Sequence, residues 1–146
     1  MKILFVCKGN IGRSQIAEGL FNSLTDGKHV ATSAGLTVTK DDSNNEGQKI
    51  IDRDENIITV MKEIGLDVSK NVRNQLTPEM LGSADRVVVM APPEVIPEYL
   101  KQSRKVVFWD VPDPADLPWG HIRLEFTRDV RRQLEVLTNN LYKTLG

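Results

Sequence analysis

Cys7 is the only cysteine in the 146 residues, and His29 and His121 are the only histidines. With one thiol no intramolecular disulfide can form, and the three side chains lack zinc-ligand spacing, so Cys7 is free. An excess of charge of either sign is also missing. A formal net charge of -1 and a pI near 6.1 leave no electrostatic footprint for wrapping DNA or RNA, which disfavours nucleic acid as a partner. No apolar run approaches the roughly 18 residues that span a bilayer, and Met1 and Lys2 lead into a strand-like run without a cleavage-site pattern. The expectation is a cytoplasmic protein without a membrane partner. Repeats and low-complexity segments are absent too, and the length suits one domain over residues 1–146 that buries roughly 70% of its unfolded surface.

What is present concentrates in Cys7-Lys8-Gly9-Asn10-Ile11-Gly12-Arg13-Ser14. An apolar run, Ile3 to Val6, ends there, and a helix-period run through Ile16, Ala17, Leu20, Phe21 and Leu24 begins. A strand, a tight loop and a helix start bring together unpaired N–H groups and the positive end of a helix dipole, a cradle for an oxyanion. Gly9 and Gly12 let the backbone curl toward the anion, and Asn10 tolerates left-handed geometry. The thiolate is the nucleophilic form of cysteine, and Arg13 and the loop amides place positive charge beside Cys7. Arg13 can grip two phosphoryl oxygens at once, and Ser14 can donate to the sulfur.

Further along, His29 to Ser33 predicts a second strand, with Gly27 stopping the helix before it. Residues 37–53 read as a long exposed polar loop. Ile57, Val60, Met61 and Ile64 predict a helix capped by Asp54 and stopped at Gly65, and Thr77-Pro78 opens another. Arg86 to Ala91 is a continuous apolar run suited to a strand buried on both faces. A short helix over Val95 to Leu100, a strand over Lys105 to Trp109 and an irregular loop through Asp110, Asp113 and Pro114 follow. Phe126, Val130, Leu134, Leu137 and Leu141 define a long C-terminal helix. Strands alternating with helices indicate an α/β fold with a parallel sheet covered on both faces, whose ligands bind beyond the strands' carboxyl ends. The loops after the first and fourth strands share that edge. Displacement of an alcohol or phenol by Cys7 needs a proton for the leaving oxygen, and either Asp113 or Asp110 is placed to give it.

The ordered set CKGNIGRSQIAE, SAG, MKEIGLDVS, RVVVM and WDVPDPAD resembles the low-molecular-weight protein tyrosine phosphatases and their relatives, the thioredoxin-coupled arsenate reductases. The resemblance implies a three-layer doubly wound fold with a four-stranded parallel sheet in the order 2-1-3-4. It implies Cys7 as nucleophile, Arg13 as phosphate ligand and Asp113 as general acid, with Asp110 the lesser candidate. Lys8, Gly9, Asn10, Ile11, Gly12, Arg13 and Ser14 would bind phosphate, and Asn10, Ser14 and Ser33 would hold the loop. Neither metal nor cofactor is implied. The partners would be a phosphorylated protein or small aryl phosphate, and inorganic phosphate or a related oxyanion.

Departures from the phosphatases define the alternatives. Ala115 and Asp116 replace the aromatic residues that follow Asp-Pro there, and Gln15 replaces a proline, both as in the reductase branch. The reductases' resolving cysteines and the phosphatases' second loop cysteine are missing, the latter position being Gly12. Asn71 takes the place of a supporting histidine. The leading reading is a cysteine-dependent phosphomonoester hydrolase working through a phosphocysteine. The alternatives are an arsenate reductase drawing on an external thiol or glutaredoxin-like partner, and a non-catalytic oxyanion-binding module. Trp109 and Trp119 are expected to pack more than to border substrate, His29 and His121 to be structural or solvent-facing, and Arg128, Arg131 and Arg132 to form a solvated helix face.

Overall fold

The computed structural model describes residues 1–40 and 44–145. Four strands, β1 (Lys2–Cys7), β2 (Val30–Gly35), β3 (Arg86–Met90) and β4 (Val106–Phe108), form one parallel sheet in the order β2-β1-β3-β4. Cys7 pairs with Gly35 on one side and Met90 on the other, so the carboxyl ends of β2, β1 and β3 align at one edge. Alternation divides the core. Ile3, Phe5, Cys7, Val88 and Met90 face one layer of helices, while Leu4, Val6, Val87 and Val89 face the other. Both faces are covered, which is why β1 and β3 read as unbroken apolar runs.

Helices α1 (Arg13–Leu24), α2 (Glu55–Lys62) and α5 (His121–Thr144) cover the Cys7 face, and α3 (Pro78–Ser83) and α4 (Glu98–Lys101) cover the opposite face. Asp54 caps α2 by accepting from the Asn56 N–H, and Thr77 caps α3 with proline at the first helical position. The helix expected over Val95 to Leu100 is divided: a 3-10 turn covers Pro93–Val95 and α4 begins after Pro97, which has no N–H to continue the ladder.

Two expectations need correction. The segment 37–53 is not simply an exposed polar loop. Val38 and Ile50 are fully buried, Ile50–Asp52 is a 3-10 turn, and Lys49 bridges to Val72, so apolar anchors pin the segment to the body; its residues 41–43 lie outside those described. The arginines of α5 are also not all on a solvated face. Arg131 is buried and donates to the Val60 carbonyl at 2.7 Å and to Glu63 at 2.8 Å, while Arg128 meets the same carboxylate at 2.6 Å. Hydrogen bonds from Arg128, then Arg131, hold Glu63 down at about 2, and only Arg132 keeps to the surface. His29 is partly buried beside the N-terminal amine, and His121 is exposed. Among the described residues no helix is long and apolar enough to cross a membrane.

Candidate active site

Strand β1 delivers Cys7 to the sheet edge, and the chain turns through Asn10 at φ +54° before α1 starts at Arg13. Asn10 is the hub of the turn. The Asn74 backbone N–H donates to its Oδ1 at 2.8 Å, which fixes the amide orientation, so Nδ2 must be the end that donates to Ser14 Oγ at 2.7 Å and Ser33 Oγ at 3.0 Å. Ser14 therefore accepts from Asn10, and its own hydrogen is left for Cys7 Sγ at 3.0 Å. An O–H donated to sulfur stabilises negative charge there. Gln15 adds a donor to Asn10 Oδ1 at 3.2 Å and reaches the Val72 carbonyl at 3.0 Å. Behind Ser33, burial pushes the Glu18 carboxyl up, against an opposing hydrogen bond from Ser33.

The outer side of the turn is braced by Arg73, whose Nε donates to the Gly9 carbonyl at 2.9 Å while Nη1 reaches Gln48 at 2.7 Å. Thr37 donates its N–H to the Lys8 carbonyl at 3.0 Å. Gly35 must be glycine, because a Cβ there would lie 2.8 Å from the Asn10 nitrogen and 2.9 Å from the Gly9 carbonyl carbon. Gly12, preceding α1, supplies no side-chain cap, so the first-turn amides remain available to a ligand.

The acid loop meets this cradle through Arg13. Its guanidinium donates from Nη1 to the Val111 carbonyl at 3.1 Å and pairs through Nη2 with Asp113 at 3.3 Å. Asp113 also caps the turn Pro114–Asp116 by accepting from the Ala115 N–H at 2.9 Å. A pocket of about 350 Å³ lies between the loops, with Cys7 and Arg13 on one side, Asp113 and Ala115 across from them, and Ile11 and Ile57 as apolar walls. A thiol, a bidentate cation and a carboxyl thus address one cavity, the set required for displacement at phosphorus with proton transfer to the leaving oxygen.

The family model for low molecular weight phosphotyrosine protein phosphatase matches residues 2–146. This chain belongs to that family. It is 30% identical over 148 residues to the glutaredoxin arsenate reductase of Synechocystis sp., spanning 96% of this chain and 95% of that protein. In three dimensions it resembles the low molecular weight protein tyrosine phosphatase of T. tengcongensis, with a TM-score of 0.78, 28% identity and 99% of both chains covered. It resembles the YwlE arginine phosphatase of Geobacillus stearothermophilus equally closely in shape, with a TM-score of 0.78, 26% identity, and 99% of this chain and 92% of that one covered. The protein is a phosphatase-type enzyme with arsenate reductases among its relatives.

Within this family member, the residues expected at the site fall into three groups. Cys7, Lys8, Gly9, Ile11, Gly12, Arg13 and Asp113 line the pocket, whereas Asn10, Ser14 and Ser33 lie beneath it as a hydrogen-bonded floor. Asp110 is outside this pocket, with its carbonyl bound by Gln133 at 3.1 Å. Asn71 touches the floor only at one remove, donating to Gln15 Oε1 at 3.0 Å. Trp109 packs against Phe5 at 5.8 Å between ring centroids, and Trp119 is largely exposed with Arg123 stacked 3.7 Å from its ring centroid. Arg73 and Asn74 were missed by sequence reasoning, since nothing local marks them: both act from a connection more than sixty residues from the turn they brace. Gln15 was noticed only as a departure from a family pattern, although a polar residue in an apolar helix start was a signal of burial with a partner.

Proposed function

We propose that this family member is a phosphomonoester hydrolase acting through a phosphocysteine on an aryl phosphate or phosphoprotein. The observation that carries the reading is Arg13, which stands between Cys7 and Asp113 and is joined to the acid loop by two contacts. A phosphoryl group in the cradle takes the guanidinium and the first-turn amides as ligands. Cys7 Sγ forms a bond to phosphorus, the bond to the leaving oxygen breaks, and that oxygen takes the Asp113 proton. Water then attacks phosphorus and passes its proton to the Asp113 carboxylate, the S–P bond breaks, and inorganic phosphate and the thiolate are released. A lone thiol nucleophile fits a reducing compartment such as the cytoplasm. The protein should hydrolyse para-nitrophenyl phosphate with a chelator present, and Cys7→Ser should remove that turnover by at least about 10⁴-fold. Turnover surviving the substitution would sink the mechanism.

A second reading is motivated by the Synechocystis relative and by Ala115 facing the pocket: Cys7 attacks arsenate, and an external thiol from a small molecule or a glutaredoxin-like partner resolves the adduct. Arsenate-dependent thiol consumption, assayed beside phosphatase turnover, separates the two. Consumption exceeding phosphate release would favour the reductase.

A further inference from the structure

Beside the catalytic pocket, on the far side of the acid loop, lies a second cleft of about 780 Å³, more than twice the 350 Å³ of the first. Lys8, Arg13, Asp113 and Asp116 line both cavities, so they are two rooms sharing one wall. The second is built differently. Pro92, Pro93 and Ile96, from the connection after β3, form one side, and Phe108 with Trp109, at the end of β4, forms the other. Phe108 is 53% exposed and its neighbour Val107 44%, an apolar surface that folding leaves uncovered. β4 is one of the two edge strands of the sheet, which gives an extended chain a rim to lie along.

We infer that this cleft is a substrate subsite that holds an apolar side chain flanking the phosphorylated residue of a polypeptide. The inference rests on the phosphohydrolase reading of the neighbouring pocket. Continuity selects the occupant: Lys8, Arg13, Asp113 and Asp116 line both cavities, so a chain whose phosphate sits on Arg13 and that leaves past them enters the Pro92–Ile96 and Phe108 cleft. A simple aryl phosphate is too small to reach Cys7 in the smaller cavity and fill the larger one as well. Two prolines at one wall hold the cleft open without side-chain ordering on binding.

The test compares para-nitrophenyl phosphate with two phosphotyrosyl peptides that differ only in having leucine or aspartate next to the phosphotyrosine. The wild type should prefer the leucine peptide by about tenfold in kcat/KM. Phe108→Asp should bring that ratio close to one while leaving para-nitrophenyl phosphate turnover within about twofold, and Phe108→Ala should fall between. Equal kcat/KM for the two peptides in the wild type, or an equal loss on all three substrates in Phe108→Asp, would overturn the subsite. Peptide binding to Cys7→Ser, followed by calorimetry, gives a readout free of turnover. If para-nitrophenyl phosphate is not hydrolysed yet Cys7→Ser binds the leucine peptide more tightly, the catalytic reading fails while the cleft's preference for an apolar flanking side chain holds for binding alone.

Discussion

The cysteine loop and the acid loop face each other across one pocket and are held in opposite ways. In the first, Asn10 and Ser14 are fully buried, every polar atom of the Asn10 side chain is used, and bonds arrive from β2, from α1 and from the connection around residue 74. The second is a surface turn stopped by prolines, tied to the cradle by Arg13, with the Asp113 side chain 30% exposed. A group that must present fixed dipoles to a developing charge gains from being preorganised. A proton donor has to follow leaving groups of different shape, and a lightly held turn allows that.

Breaking the link between the loops should have the largest effect. Arg13→Lys keeps the charge but loses the fork that serves phosphate, Val111 and Asp113 together, so kcat/KM for an aryl phosphate should fall by about 10³-fold or more. Steady-state kinetics checks this, and a loss below tenfold would remove Arg13 from transition-state binding. Next, Asp113→Asn should lower kcat by about 10²-fold, and more for poor leaving groups than for para-nitrophenolate, while the thermal midpoint moves little because asparagine keeps an oxygen that can accept from the Ala115 N–H and from buried Arg13. Equal losses across leaving groups would redirect attention to Asp110. The mirror image is Asn10→Ala, which gives up the left-handed preference of Asn and strands buried partners. It should cost about 2–4 kcal/mol of stability, seen as a melting midpoint lowered by roughly 5–10 °C.

The smallest effects belong to two carboxylates away from the reacting atoms, and they differ in sign. Glu63 is depressed to about 2 by Arg128, so it adds stability above its ordinary 4.5 that is lost as pH falls through about 2. Glu63→Gln should melt lower than wild type at neutral pH, with the gap closing toward pH 2. Glu18 is raised by burial, so its ionisation takes stability away as pH rises above 4.5, and Glu18→Gln should melt no lower than wild type at neutral pH. Melting curves across pH for both variants check the pair; the same sign in both would mean that the burial of Glu18 is relieved by a charge partner.

Much of the site was legible because it is local. Cys7, Asn10, Arg13 and Ser14 fall within one strand end, one turn and one helix start, where spacing alone brings side chains together. The strand order 2-1-3-4 followed from the resemblance and is the order found. The segment 37–53 was misread because Val38 and the Ile50-Ile51 pair are sparse apolar residues in a polar stretch, too far apart to show a period. The arginines of α5 were misread because the acid that buries Arg131, Glu63, lies at the end of a different helix.

By itself, then, the sequence determined where the lone thiol and its glycine-rich turn lie between a strand end and a helix start, and the alternation of strands and helices, because hydrophobic periodicity and short-range geometry act over a few residues. Only the tertiary structure decided which aspartate reaches the pocket, that Arg73 and Asn74 brace the turn, and that an apolar cleft adjoins it. Those depend on sheet register and on how loops from distant parts of the chain close over one edge, and neither leaves a mark on any one stretch of residues.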